Sequence, residues 1–343
     1  MPFSALALRP DDQELGVNRR DTALVILALA AAPLASDAQQ QGKIWRIGFL
    51  GPRRRPASLE GDFLSEFPRG MRELGYVEGK NLVIEWRFAD GQSARLPALA
   101  EELVRMNVDL LLATTSQAIK ALQNATRTIP IVMANAGDPV ASGFVASLAR
   151  PGGNITGLAN LLSEIIPKLL DLLLGMVPAI SRVAYLVNPV NPALVTGGNN
   201  LNSAAQSFGV SVFRVEARTA QEIDSAFPQM LRDRVDAVIV PGDALFFEHF
   251  RRIAELSIKN RMSSVSSLRQ YAEVGGLASY GPDPAEQLRR AATYVDKIFK
   301  GAKPGDLPIE QSANFELLVN GTTARALGLT IPQSVLLRAA KVI

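Results

Sequence analysis

The sequence has 343 residues, yet it contains no cysteine and only one histidine, His249. The lack of cysteine excludes a thiol nucleophile, a thiolate zinc site and an iron–sulfur cluster, because each of these needs the cysteine sulfur. A serine–histidine triad would have to depend on His249, which lies in the largely apolar segment 245–250. His249 is interpreted as a residue that either lies on a helix surface or packs structurally. A chain without cysteine suits an oxidising compartment but does not require one.

The sequence also lacks the motifs of the common catalytic and nucleotide-binding classes. It contains no G-x-x-x-x-G-K-[ST], no G-x-G-x-x-G, no H-E-x-x-H and no G-x-S-x-G. Its 36 lysines and arginines against 33 aspartates and glutamates leave a formal net charge of +3, too little to predict nucleic acid as a partner. A binding protein without metal or cofactor is the simplest interpretation. An enzyme that uses only carboxylates and hydroxyls is the catalytic alternative.

The segment 1–38 is predicted to be a secretory signal that is removed from the mature protein. Arg19 and Arg20 precede an apolar stretch over 22–35. This stretch is shorter than the roughly 20 residues that span a membrane, but it suits the apolar core of a signal. Small residues follow at the positions that a signal peptidase reads, and the general or the twin-arginine export route would fit. The alternative is a buried helix of the folded protein.

Short apolar runs alternate with helical patterns through the rest of the chain. Several runs are apolar almost throughout, as in parallel strands that are covered on both faces. The predicted strands are 45–50, 82–87, 108–113, 129–134, 183–187, 210–215, 235–240 and 277–280. A helical pattern over 63–74 ends at Gly75 as its cap, and Pro68 either kinks this helix or begins it. The other predicted helices are 96–106, 117–125, 165–176, 220–231, 245–258 and 284–299. An extended run over 309–319 and short helices starting at Thr322 and Pro332 follow.

This alternation predicts an α/β protein with parallel sheets and right-handed crossovers. A single large sheet is one possibility. Two smaller sheets fit better, because the pattern breaks at the Arg-Pro-Gly-Gly-Asn segment 150–154 and then restarts. The predicted fold class is therefore α/β with two doubly wound lobes.

Small polar residues stand at several strand ends, just before a helix begins. These places are 114–116, 135–139, 188–192, 241–243 and 280–284. Because the carboxyl ends of parallel strands share one edge of a sheet, these loops should meet at the crevice where open α/β sheets bind ligands. Helix N-termini with free N–H groups suit a carboxylate there. The same residue types are also ordinary helix N-caps, so capping is the alternative to ligand contact.

Side-chain chemistry predicts individual roles in this crevice. Thr115 and Ser116 are predicted to donate hydrogen bonds to a carboxylate, and Asp138 and Asp243 to hold a cationic group. Further predicted ligand contacts are Gly51, Asn135, Asn188 and Tyr280. No catalytic and no metal-ligating residue is predicted.

Two features near the strand ends have alternative interpretations. The basic run Arg53, Arg54 and Arg55 is either a solvated loop or an attraction for an anionic ligand. Trp86 and Tyr280 are either aromatic ligand contacts or packing residues of the core.

Several segments resemble one family of transport proteins. These segments are 46–50 (RIGFL), 73–82 (ELGYVEGKNL), 138–140 (DPV) with 149–157 (ARPGGNITG), 271–281 (YAEVGGLASYG) and 324–332 (ARALGLTIP). In combination they resemble the ABC-transporter substrate-binding proteins of the TrpX-like family, and the likeness runs over 43–343. The resemblance implies a type I periplasmic-binding fold, in which two α/β lobes close on a ligand about a hinge.

The resemblance also implies where the lobes begin and end. Three crossing segments are expected near 155–161, 276–282 and 304–312. The first lobe is then 39–157 plus 279–305, and the second lobe is 158–278 plus 306–343.

The function that the resemblance implies is that of an extracytoplasmic receptor of an ABC importer. Such a receptor would bind a small organic anion or zwitterion, for example an amino acid, and deliver it to a permease in the inner membrane. Lipid-anchored relatives carry a lipobox cysteine, so a freely diffusing, monomeric periplasmic protein without enzymatic activity is expected here. The alternative is a periplasmic sensory protein that docks on a membrane receptor.

Overall fold

Strands form two separate sheets in the computed structural model, which describes residues 42–160 and 162–343. All elements given below lie within Trp45–Ile343, which forms one unit by its internal contacts. The predicted signal segment 1–38 lies outside the described residues, as does Leu161 at the end of the first predicted crossing.

The described residues contain the following elements in chain order. The strands are β1 (Trp45–Gly51), β2 (Leu82–Phe88), β3 (Leu110–Ala113), β4 (Ile131–Ala136), β5 (Ile155–Ala159), β6 (Arg182–Val187), β7 (Ser211–Glu216), β8 (Ala237–Val240), β9 (Ser263–Ser266), β10 (Ala278–Pro282), β11 (Glu310–Gln311), β12 (Phe315–Val319) and β13 (Lys341–Val342). The helices are α1 (Glu66–Glu73), α2 (Leu96–Arg105), α3 (Ser116–Ala125), α4 (Leu162–Met176), α5 (Pro192–Ser207), α6 (Ala220–Arg232), α7 (Ala244–Glu248), α8 (Phe250–Lys259), α9 (Arg269–Glu273), α10 (Pro284–Phe299), α11 (Gly321–Ala326) and α12 (Gln333–Leu336). Single 3₁₀ turns lie at Phe63–Ser65, Ser93–Arg95 and Pro304–Asp306.

The first sheet has the strand order β11-β5-β4-β3-β1-β2, and its neighbouring strands are parallel. The second sheet has the order β13-β12-β10-β9-β8-β6-β7, in which β12 runs antiparallel to β10. Neighbouring residues of β3 belong to different apolar clusters, Leu111 to one and Leu110 and Leu112 to the other, so the first sheet is buried on both faces. The predicted fold class, two α/β lobes on mainly parallel sheets, is confirmed.

The predicted strands are all present, with ends that agree within two residues. Two internal strands were not predicted. β5 forms inside the segment 155–161, where a crossing was expected, and β9 has the serine-rich sequence SSVS. The serines of β9 make the segment polar, so the sequence does not predict a strand there. In the interior the hydroxyl of Ser264 has a partner, because Tyr271 Oη donates to Ser264 Oγ over 2.8 Å.

The helices differ from the prediction at several places, and the short α9 is one that was not predicted. The predicted helix 245–258 is divided at His249, whose φ of −115° and ψ of 13° end α7 before α8 begins. Pro68 lies in the first turn of α1, where a missing N–H breaks no helical hydrogen bond. α5 was not predicted because glycines weaken its helical pattern. A Cβ on Gly197 would stand 2.3 Å from Ile166 Cδ1, so glycine there permits α5 to pack closely against α4.

The chain passes between the two sheets three times: after Ala159, at Asp283, and between Gln311 and Phe315. Because of these passages, α4 packs in the core of the second lobe and α10 in that of the first. The exact lobe boundaries predicted from the sequence, at 157/158, 278/279 and 305/306, stay a prediction.

Replacing Gly157 with alanine is expected to destabilise the protein by about 2–4 kcal/mol. Gly157 lies in β5 at a φ of 130°, and a Cβ there would stand 2.1 Å from the carbonyl oxygen of Met133 in β4. Urea unfolding of Gly157→Ala measures the effect. The matched control is Gly153→Ala, since Gly153 is exposed and a Cβ there meets no atom within 4 Å. Equal unfolding midpoints for the two variants would contradict the steric argument.

Candidate functional site

A cavity lies between the two lobes at the carboxyl ends of the parallel strands. Its empty volume is about 980 Å³, including the part that is open to solvent. Loops that follow β1, β3, β4 and β5 line it from one side, and loops that follow β6, β8, β9 and β10 line it from the other. This is the edge at which ligands bind open α/β sheets.

The start of α3 presents the first polar group to this cavity. Thr115 is the N-cap of α3, and its Oγ1 accepts the N–H of Ala118 over 3.4 Å. Its hydroxyl proton has no acceptor among the described residues and is available to a ligand. The hydroxyl of Ser116 is engaged elsewhere, because its Oγ donates to the carbonyl oxygen of Gly137 over 3.5 Å and accepts the N–H of Gly137 over 3.3 Å. The predicted donors at this helix start are therefore present, but they are not equally free.

The carboxylate of Asp243 is buried in the opposite wall and accepts four hydrogen bonds. Oδ2 accepts from Gln117 Nε2 and from Asn191 Nδ2, each over 2.9 Å. Oδ1 accepts from Asn188 Nδ2 over 3.0 Å and from the N–H of Leu245 over 2.9 Å, the latter as the N-cap of α7. All four donors are neutral. The bond from Gln117 crosses the cavity, because Gln117 belongs to the first lobe.

The negative charge of Asp243 also acts on the buried core beneath the cavity. Tyr185 lies in β6, and its hydroxyl donates to the carbonyl oxygen of Leu194 over 2.9 Å. Burial raises the pKa of the Tyr185 hydroxyl, and the charge of Asp243 raises this pKa further. A further negative charge at the base of the second-lobe wall is therefore disfavoured.

Three side-chain amide oxygens that belong to lining residues are buried without a hydrogen-bond donor from the described residues. They are Gln117 Oε1, Asn160 Oδ1 and Gln270 Oε1. The amide orientation of Gln117 follows from its bond to Asp243, because a carboxylate can only accept. Asn160 Nδ2 donates to Asn135 Oδ1 over 2.6 Å. A buried acceptor without a donor is costly, so this wall is suited to a ligand that brings N–H or O–H groups.

The structure places the eight predicted site residues in two groups. Thr115, Ser116, Asn135 and Asp243 line the cavity. Gly51, Asp138, Asn188 and Tyr280 are not among the described residues that line it.

Each residue of the second group has a packing or hydrogen-bonding role. Asn188 holds Asp243, as described above, and Asp138 accepts the N–H of Ser163 in α4 over 3.0 Å. Tyr280 stacks on Phe315, with ring centroids 5.6 Å apart. A Cβ on Gly51 would stand 2.8 Å from a ring carbon of Phe49, so its glycine serves close packing.

Several lining residues were missed at the sequence level. Asn160 follows β5, and Gln270 begins α9 just after β9, so both were missed because the strand before them was missed. Gln117 could have been found from its place directly after the predicted Thr115 and Ser116. Phe63 has no signal in the sequence that separates it from core aromatics.

Within the part of the chain that the structure describes, no group of three or more His, Cys, Asp or Glu residues could hold a metal ion. The acid at the cavity, Asp243, is surrounded by N–H donors, which do not ligate metals. No described helix has the length and apolar character that crossing a membrane requires.

The family model described as "ABC transporter substrate binding protein" matches residues 61–343. The match covers well over half of the sequence, and the chain belongs to this family. The family predicted from the sequence is thereby confirmed.

Individual relatives agree with this assignment. A tyrosine-binding protein of Clostridioides difficile is 26% identical over 263 residues, which cover 77% of this chain and 75% of the relative. A crystal structure of a conserved domain protein from Vibrio cholerae is 27% identical with a TM-score of 0.82, covering 88% of this chain and 100% of that chain. The ABC domain from Streptococcus pneumoniae in complex with L-Trp is 26% identical with a TM-score of 0.78, again covering 88% of this chain and 100% of that chain. The fold is the type I periplasmic-binding fold.

Removal of the Asp243 carboxylate is expected to destabilise the protein by about 2–4 kcal/mol, because three buried amides and one N–H lose their acceptor. Urea unfolding of Asp243→Ala measures this loss. Asp224→Ala is the matched control, since Asp224 pairs with Arg252 over 2.9 Å and both side chains are about half exposed (51% and 53%). The control should lose less than about 1 kcal/mol. A loss at Asp243 no larger than that of the control would show that the four hydrogen bonds do not stabilise the fold.

Proposed function

We propose that the chain is the extracytoplasmic receptor of an ABC importer and that it captures an amino acid between its two lobes. The observation that carries the proposal is the set of unpartnered acceptors on Gln117, Asn160 and Gln270 beside the negative charge of Asp243. A protonated amine satisfies such a set best, because it brings three N–H donors and a positive charge. The carboxylate of Asp243 acts through its charge, since its own lone pairs are occupied.

The other end of an amino acid is a carboxylate, and the start of α3 is one place where it can bind. Thr115 has a free hydroxyl proton, and the first turn of a ten-residue helix presents N–H groups with partial positive charge. Ser116 contributes as a residue of this first turn rather than through its hydroxyl, because the hydroxyl is hydrogen-bonded to Gly137. Asn135 stands beside these groups and fixes the amide of Asn160.

The remaining wall suits an apolar or aromatic side chain. It includes Phe63 from the first lobe and Leu162, Ile165, Phe247 and Leu268 from segments of the second lobe. Side chains of this kind bury apolar area and exclude water from the polar end of the ligand. Two relatives, a tyrosine-binding protein and a domain with bound L-Trp, support the same class of ligand.

Capture and delivery would use the two-lobed architecture. The hydrogen bond between Gln117 and Asp243 joins the lobes, so a ligand that adds contacts to both walls favours the closed arrangement. We propose that the closed, loaded protein works as a freely diffusing monomer without cofactor or enzymatic activity and delivers the solute to an inner-membrane permease. The family description and the export signal predicted at 1–38 support this role.

Addition of the bound amino acid is expected to raise the melting temperature of the purified protein. A ligand at a hundred times its dissociation constant stabilises the native state by about 2.7 kcal/mol. L-Tyrosine and L-tryptophan are the first probes, within a panel of the twenty amino acids followed by thermal unfolding, and D-glucose serves as a control ligand without an amine. If no amino acid of the panel raises the melting temperature, the proposed function is wrong.

Gln117→Leu is expected to weaken binding of the amino acid about tenfold or more, because it removes an acceptor for the amine and the bond to Asp243. Isothermal titration with L-tyrosine and with its deaminated analogue, 3-(4-hydroxyphenyl)propionate, separates these two effects. The analogue has no amine, so the substitution should change its affinity much less. Gln229→Leu, at an exposed glutamine of α6, is the control. An equal loss for both ligands would contradict a role for Gln117 in binding the amine.

A further inference from the structure

We propose that Arg53 binds the carboxylate of the amino acid and that Phe247, on the opposite lobe, is its positioning residue. This inference rests on the proposed function, because it takes an amino acid as the ligand. It assigns the carboxylate to a side chain of the loop after β1 and makes recognition of that carboxylate depend on closure of the lobes.

The guanidinium of Arg53 has N–H groups to spare at the cavity. The side chain lines the cavity and is only 13% exposed. One nitrogen, Nη2, is bonded to Asp62. Nε and Nη1 donate to no other described residue, yet they are not among the buried atoms that lack a partner. These N–H groups are therefore not fully buried, and because Arg53 lines the cavity a ligand there can accept hydrogen bonds from them.

The charges at the cavity support a carboxylate at this place. Among the described lining residues, Arg53 is the cation and Asp243 is the anion, and they stand on different lobes. A zwitterion matches this arrangement, with its amine toward Asp243 and its carboxylate toward Arg53. The fork of a guanidinium also fits the two oxygens of a carboxylate, and it can serve Asp62 and a ligand together.

Two aromatic rings hold the guanidinium from different lobes. Arg53 Cζ lies 4.6 Å from the ring centroid of Phe63, which is in its own lobe, and 5.6 Å from that of Phe247 across the cavity. The two rings meet edge to face with centroids 6.1 Å apart. Phe247 is in turn packed against Phe250, with centroids 5.5 Å apart. The guanidinium therefore has a ring on each side only when the second lobe is closed on the first.

A hydrogen bond next to this cluster joins the same two segments. The backbone N–H of Arg54 donates to Glu248 Oε1 over 2.9 Å. Consecutive residues of the first lobe, Arg53 and Arg54, thus contact consecutive residues of the second, Phe247 and Glu248. The loop after β1 is held in one place by α7, which orients Arg53 for a ligand.

The test compares an amino acid with its amide, which keeps the amine but has no carboxylate charge. Affinities for L-tyrosine and L-tyrosinamide, and for L-tryptophan and L-tryptophanamide, are measured by isothermal titration at pH 6, where the amines are protonated. The variants are Arg53→Met, Arg53→Lys and Phe247→Leu. The matched controls are Arg252→Met, at an exposed arginine paired with Asp224, and Phe208→Leu, at an exposed phenylalanine of the second lobe.

Arg53→Met should weaken binding of the acids about tenfold to a hundredfold and leave binding of the amides within about threefold. Arg53→Lys should recover part of the preference for the acid, because it restores the charge without the fork. Phe247→Leu should lower the same preference about threefold to tenfold, although it removes no charge. Both control variants should retain the wild-type ratio of acid to amide affinity.

Two results would overturn the inference while leaving the proposed function intact. One is an unchanged ratio in Arg53→Met together with a lost ratio in Thr115→Val, which would assign the carboxylate to the start of α3. The other is an equal loss of acid and amide affinity in Arg53→Met or in Phe247→Leu, which is the mark of a merely structural role. Wild-type protein that binds none of the amino acids would overturn the proposed function itself.

Discussion

A buried carboxylate held only by neutral N–H groups is the constraint on which the cavity depends. Asp243 cannot be solvated, so its four acceptor positions have to be filled by the protein. Three of the donors come from its own lobe, and the fourth, Gln117, comes from the other lobe. The hydrogen bonds that the Asp243 carboxylate requires therefore hold the two walls of the cavity together. They also leave Gln117 Oε1 without a donor, so the same requirement creates an acceptor for a ligand.

Capping a helix and lining the cavity are done by the same residues. Thr115 and Asp243 are the N-caps of α3 and α7, and both stand at the cavity. This follows from the parallel sheets, since a strand that ends at the crevice is followed by a helix that starts there. From the sequence, capping and ligand contact were alternative roles. Thr115 and Asp243 both cap a helix and line the cavity, so for these two residues the roles are compatible. For Ser116 the local hydrogen bonds take the hydroxyl, and its place in the helix turn remains.

Much of the fold could be predicted because its strands are apolar and short, as in β3 and β8, which are buried throughout. The serine-rich β9 and the glycine-containing α5 could not, because their stability comes from tertiary contacts that no local pattern records. The location of the cavity followed from topology alone. The individual side chains were predicted less well. Tyr280 stacks on Phe315 and Asp138 accepts a hydrogen bond from Ser163 in α4. A position at the end of a strand does not determine the direction in which the side chain points.

The contacts between the lobes are distributed unequally about the crossings. The bond from Ser163 to Asp138 lies a few residues from the first crossing, whereas the bond from Arg54 to Glu248 is exposed and joins the loop after β1 to α7, both far from any crossing in sequence. In a rotation about a hinge, each atom moves in proportion to its distance from the axis. Opening by such a rotation would stretch the contacts far from the hinge axis before those close to it. A bond beside a crossing, such as the one from Ser163 to Asp138, would therefore be stretched less than a bond farther from the hinge axis.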